Sequence, residues 1–175
     1  MKKDFIMPIL VLSMICFFVT GALAVADYFT RPVIEKAAAE RASLAMRDII
    51  PQAEYFESLE LHGLPGTINA AFRSTNNVGY IFIVTTAGFG GGITIISGID
   101  PNGRVIRTAV LSHSETPTFA APVFAEPHVS QFWGRDRDGI EGIAAVSGST
   151  VTSVAFRNGV RDALLAFELV SGGAR

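Results

Sequence analysis

A chain of 175 residues has room for one compact domain and a membrane anchor. Its formal net charge of −2 argues against a nucleic-acid partner. Apolar residues make up 49% of the chain, and their surplus is concentrated in one N-terminal segment.

That segment, FIMPILVLSMICFFVTGALAVA, runs from Phe5 to Ala26 without a charge. As a helix it would rise about 33 Å, enough to cross a hydrocarbon core of about 30 Å. Pro8 falls near its start, where a missing N–H matters little. Lys2 and Lys3 precede it, so the positive-inside rule places the N-terminus in the cytoplasm and the remainder outside. A cleaved signal peptide is the competing reading, since Ala22, Ala24 and Ala26 offer small residues for a cleavage site. The length of the apolar run favours a retained anchor in the cytoplasmic (inner) membrane. Cys16, inside this segment, is the only cysteine, so the domain beyond it has neither a disulfide nor a thiolate metal site. Redox work there would need a bound organic cofactor or a histidine-based metal site.

Next comes TRPVIEKAAAERASLAMRDII, rich in alanine and charge and stopped by Pro51. With Thr30 as cap and Pro32 at an early position, it predicts a separate stalk helix. The pattern then turns strand-like. EYFESLEL and INAAFR are candidate strands, and VGYIFIVTTA, GGITIISGI and RVIRTAVLSH are richer in β-branched residues. DPNG, Asp100 to Gly103, is a turn signal, so residues 78–112 read as an antiparallel meander. ETPTFAAPVFAEPHVSQFWG carries three prolines and predicts a long loop with a short helix, and RDRDG reads as a charged turn. Phe156, Val160, Ala163, Leu164 and Phe167 recur at helical spacing, predicting an amphipathic helix over 153–170. The expected class is α+β: an anchor over 1–29, a stalk helix over 30–52 and a domain over 53–175.

Three stretches could carry chemistry. Ser147, Gly148, Ser149, Thr150, Thr152 and Ser153 stand just ahead of the last helix. A helix start offers unpaired N–H groups and a positive dipole end, which together favour a phosphate. The same residues would equally make an ordinary capping loop. TAGFGGGIT, residues 86–94, interrupts two strands with four glycines; such a loop admits a flat ligand or another backbone, or is a loose hairpin. No Gly-Lys-Ser/Thr follows, so it is not a P-loop. VLSHSETPTF brings His113 and Glu115 to one strand face. A hydrolase built on them lacks a nucleophile elbow, and the three histidines lack metal-ligand spacing.

The order of these stretches is more specific than any one of them. An apolar helix, Gly-Phe-Gly-Gly between strands, His-x-Glu-Thr-Pro, then Ser-Gly-Ser-Thr-x-Thr-Ser before a helix resembles the FMN-binding domain family. Within it the chain is most similar to the G subunits of Rnf-type electron-transport complexes, which are related to the C subunits of sodium-pumping NADH:quinone oxidoreductases. The resemblance implies an FMN-binding domain over 53–175 and an FMN joined by a phosphoester to Thr150. A flavin transferase would install it from FAD with release of AMP. The cofactor-site residues it implies are Thr150, Ser147, Gly148, Ser149, Thr152, Ser153, Glu115, Thr116, His113, Gly90 and Gly91. The implied role is an electron relay between other membrane subunits of a complex coupled to Na⁺ or H⁺ movement. Three positions depart from the family pattern: Ala144 replaces an Asp, Ser149 an Ala, and Thr118 a Gly. A tethered flavoprotein with another redox partner, or a flavin-free scaffold, are the competing functions.

Overall fold

The computed structural model describes residues 2–172, with side chains from Ile6 onward. Helix α1 spans Lys2–Ile49. Among the described residues it is the one helix long and apolar enough to cross a membrane, and its apolar stretch is fully exposed within the chain itself. The helix expected to begin at Thr30 is not separate. The backbone stays helical through this point, and the Thr30 hydroxyl donates to Ala26 O in the turn before it rather than capping a new start. Pro8 and Pro32 both lie inside the helix, because the backbone is already helical from Lys2. The side chains of Lys2 and Lys3 lie outside the described residues.

Residues 42–175 form the second compact unit of the chain. Its centre is a five-stranded antiparallel sheet in the order β1-β2-β3-β4-β5. The strands are β1 Phe56–Ser58, β2 Ile68–Ser74, β3 Tyr80–Ala87, β4 Gly92–Ile99 and β5 Val105–His113. This is a plain meander, as the alternating β-branched runs and intervening turn residues require. The expected first strand is shorter than its apolar pattern, because only Phe56 to Ser58 pair with β2. The proline-rich segment after β5 folds into α2 Pro117–Phe124, α3 Glu126–Val129 and a 3₁₀ turn at Ser130–Phe132. The expected RDRDG turn instead starts α4, Arg137–Glu141, because the Asp136 carboxylate accepts from the Gly139 N–H at 2.9 Å and caps it. Helix α5, Thr150–Gly172, closes the fold.

Period-two alternation sends the sheet's side chains to two cores. Phe82, Val84, Ile93, Ile95 and Ile99 pack on one face with Phe156, Val160, Ala163, Leu164 and Phe167 of α5. Ile81 and Ile96 pack on the other with Met46, Ile49 and Ile50 at the end of α1. Full burial of a side chain such as Phe156 contributes about 1.5–3 kcal/mol. Gly159 lets α5 lie close on the sheet, since a Cβ there would stand 2.6 Å from Ile95 Cδ1. His128 is buried beside Phe132 and Phe156, its Nδ1 2.8 Å from Val123 O, and so belongs to the core. Among the described residues no histidine, cysteine and carboxylate group is placed to hold a metal.

Candidate functional site

Two chain crossings meet above one end of the sheet: the β3–β4 loop and the start of α5. The loop owes its shape to glycine. Gly88 N–H donates to Gly91 O at 2.7 Å, closing a tight turn. A Cβ on Gly88 would stand 2.1 Å from Glu115 Oε1, and one on Gly90 would stand 2.6 Å from Ser114 O. The glycines therefore admit another backbone, that of Ser114 and Glu115, which follows β5.

Glu115 is 5% exposed. Its Oε1 accepts from the Gly90 N–H at 2.9 Å and its Oε2 from the Thr152 hydroxyl at 2.7 Å. Burial alone would raise its pKa. The Thr152 hydroxyl, the Gly90 and Phe89 N–H groups and the charge of His113 outweigh burial and hold it below the ordinary glutamate value.

The start of α5 is built from the hydroxyl run. Gly148 takes φ +79°, a left-handed turn with open space around it. Ser149 N–H donates to Val146 O at 3.0 Å. Ser153 Oγ donates to Ser149 O at 2.9 Å and accepts from Val146 N–H at 3.1 Å, tying the loop to the turn above it. Arg157 donates to Ile143 O at 3.0 Å and steadies the approach. Intrahelical bonding starts at Ser153 N–H, which donates to Ser149 O. The amides of Thr150, Val151 and Thr152 are those a helix start leaves without an intrahelical acceptor.

Against this frame the threonines separate. Thr152 is 2% exposed and faces Glu115, whereas Thr150 is exposed. Thr150 opens onto a cavity of about 300 Å³ lined by Phe89, Phe119, Gly148, Ser149, Val151 and Thr152. Phe89 and Phe119 are 75% and 48% exposed, an unusual way to leave two aromatic rings.

Four of the sequence-predicted site residues, Gly148, Ser149, Thr150 and Thr152, line this cavity directly. Glu115 and Gly90 join it through hydrogen bonds, Gly91 closes the loop, and Ser153 braces the helix start. Ser147 lies exposed just ahead of the cavity. Thr116 sits at the start of α2, exposed and making no capping bond with its side chain. His113 points elsewhere, into a more open groove of about 610 Å³ along β5 with Phe124 and Trp133. Phe89, Phe119 and Val151 line the cavity but were not among the expected site residues. Exposed apolar side chains beside a hydroxyl are set by the tertiary fold, and no local pattern marks them.

The family model for the FMN-binding domain matches residues 88–165, from the glycine loop through Glu115 and the hydroxyl run into α5. These residues carry the sequence pattern of an FMN-binding domain. The chain that carries it is similar to the G subunit of a proton-translocating ferredoxin:NAD(+) oxidoreductase complex from Clostridium ljungdahlii, at 26% identity over 93% of this chain and 91% of that protein. It is likewise 23% identical to the G subunit of a Na(+)-translocating ferredoxin:NAD(+) oxidoreductase complex from Acetobacterium woodii, over 93% and 91% of the two chains. The G subunit of an ion-translocating oxidoreductase complex from Vibrio vulnificus is 34% identical over 56% of this chain and 52% of its own. With α1, these relatives support a single-pass membrane protein, and the matched domain supports FMN as its ligand.

The residues at the cavity suit FMN. The free amides at the start of α5 and the open left-handed turn at Gly148 fit a phosphate. The exposed rings of Phe89 and Phe119 offer apolar faces to a flat heterocycle.

Proposed function

We propose that this chain is an electron-transfer subunit of an Rnf-type, ion-translocating redox complex, and that its FMN is held by a phosphoester to Thr150. The observation that carries the reading is the exposure of Thr150 on the cavity while Ser149, Thr152 and Ser153 around it are buried. Ser147 is exposed as well but lies off the cavity, so Thr150 has the accessible hydroxyl that faces it.

In the attachment step Thr150 Oγ bonds to the FMN-side phosphorus of FAD. The pyrophosphate P–O bond breaks, AMP leaves, and the hydroxyl proton passes to a base on the flavin transferase. The resulting diester keeps one negative charge, which the first-turn amides of α5 are placed to receive. Bound flavin supplies the redox chemistry. The chain's own residues position it: Gly148 gives the phosphate room, and Phe89 and Phe119 flank the ring's space. No side chain here needs to act as an acid or base in the relay.

The membrane placement follows the same reading. Lys2 and Lys3 favour a cytoplasmic N-terminus, which puts the FMN-binding domain on the outer side of the inner membrane. A covalent link then prevents flavin loss by diffusion. The relatives couple to different ions, H⁺ in one and Na⁺ in another, so the reading assigns a class of complex and leaves the ion open.

The test is co-production with a flavin transferase, followed by denaturing electrophoresis, in-gel fluorescence and intact mass. One added FMN on the wild-type chain, absent from Thr150→Val, is the expected result. A dark band of unmodified mass would mean that Ala144, at the family's Asp position, blocks attachment, and would favour a noncovalent flavoprotein or a scaffold.

A further inference from the structure

Among the described residues Glu115 is the one buried carboxylate. A charge without donors is costly to bury, so its partners show what it is for. They come from two distant parts of the chain. Oε1 holds the glycine loop through Gly90 N–H at 2.9 Å, and Oε2 holds the first turn of α5 through Thr152 Oγ1 at 2.7 Å. The glycine loop is moulded over it, since a Cβ at Gly88 would strike Oε1. Phe89, between Gly88 and Gly90, is carried by that loop, and Thr150 by that helix turn. The carboxylate thus joins the two walls of the cavity from behind without lining it.

We propose that Glu115 is a positioning residue whose carboxylate bridges the 88–91 loop to the first turn of α5 and keeps the cavity at Thr150 in the shape that flavin attachment requires. The inference rests on the Thr150 reading for its functional consequence, but the bridge itself is independent of flavin. Reach is the property that lets the bridge hold both elements, and the charge adds to its stability. Asp is one methylene too short to meet both donors. Gln can turn its oxygen to Gly90 N–H and donate its NH₂ to the Thr152 hydroxyl.

The experiment uses the full chain co-produced with a flavin transferase, comparing Glu115→Ala, Glu115→Asp and Glu115→Gln. Attachment is read as the initial rate of fluorescence gain per folded chain. Amide hydrogen exchange is read at Phe89, Gly90 and the β3–β4 strands. Ala and Asp are expected to slow attachment on the order of tenfold or more, the scale of a displaced reacting group. Both should speed exchange at Phe89 and Gly90 while the strands stay protected. Gln is expected to keep most of the rate and the protection. Wild-type exchange and attachment in Glu115→Ala would overturn the bridge, and so would an active Asp variant beside an inactive Gln variant. If the Glu115 variants do not fold, Thr152→Val removes the other end of the same bridge and should reproduce the loss, with Thr152→Ser restoring it. Equal exchange at Gly90 in those two variants would overturn it as well. A wild-type chain that takes no flavin, or a Thr150→Val chain that does, defeats the Thr150 reading instead. The exchange arm still decides the bridge in either case.

Discussion

The two sides of the first turn of α5 each present a threonine, and the two threonines do opposite things. On the outer side Thr150 and Val151 are exposed beside Phe89 and Phe119. On the inner side Thr152 and Ser153 are buried, and both hydroxyls are spent on protein partners, Glu115 and Ser149 O. A hydroxyl that serves the fold needs a fixed acceptor. A hydroxyl that serves chemistry needs to be left free. The turn separates the two roles by facing alone.

The largest effect should be a difference in stability cost between two substitutions of one kind. Thr150→Val is expected to lose all covalent flavin yet shift stability by no more than about 0.5 kcal/mol, as exposed substitutions do. Thr152→Val leaves Glu115 Oε2 without its donor and should destabilise by about 1–3 kcal/mol. Urea unfolding of unmodified protein measures the second quantity, and intact mass the first. Equal destabilisation by both changes would mean that the two sides of the turn do not differ in this way.

Much of this division was visible in the residues, and part of it was not. The meander from Tyr80 to His113 and the helix face of Phe156, Val160 and Phe167 follow from strand and helix periods, which depend on local chemistry. The hydroxyl run announced a helix start for the same reason. Its inner and outer sides were hidden, because Thr150 and Thr152 differ only in what the rest of the chain brings to them. Glu115 illustrates this: it lies 37 positions from its partner Thr152, and no spacing rule joins them. The stalk boundary failed differently. Thr30 and Pro32 look like a cap and an early helical proline, but good helix formers on either side carry the backbone through.

The glycines sharpen the comparison at a smaller scale. On the inner side the obstacle is space: a Cβ at Gly90 would meet Ser114 O at 2.6 Å and Glu115 Cα at 3.2 Å, backbone atoms that cannot rotate away. Gly90→Ala should cost about 1–3 kcal/mol, and Gly90→Asn at least as much. On the outer side the obstacle is conformation: Gly148 has room but φ +79°. Gly148→Ala should cost about 1–2 kcal/mol, and Gly148→Asn less, because Asn tolerates the left-handed region. Denaturant midpoints for the four variants give the answer. If Asn helps at position 90 as it does at 148, crowding is not what holds the glycine loop to glycine.

The smallest effect separates the sides by pH. Glu115 ionises more readily in the folded chain than in the unfolded one, because the donors from Thr152, Gly90 and Phe89 and the charge of His113 outweigh its burial. A carboxylate whose folded pKa is depressed contributes stability that is fully present above its unfolded pKa, about 4.3. That contribution fades as pH falls through the lower, folded value, where both states bind the proton. The stability gap between wild type and Glu115→Gln should therefore hold above the unfolded pKa and narrow as pH falls from there through the lower, folded value. Subtracting the Gln variant removes the other carboxylates, which titrate alike in both chains. The gap between wild type and Thr150→Val should stay flat over the same range, since Thr150 does not titrate and makes no bond to Glu115. A flat Glu115 gap would show that the inner hydroxyls and amides stabilise the acid as well as its anion. The inner side would then be a neutral hydrogen-bonded seam instead of an anion site, and its difference from the outer side would be one of burial alone.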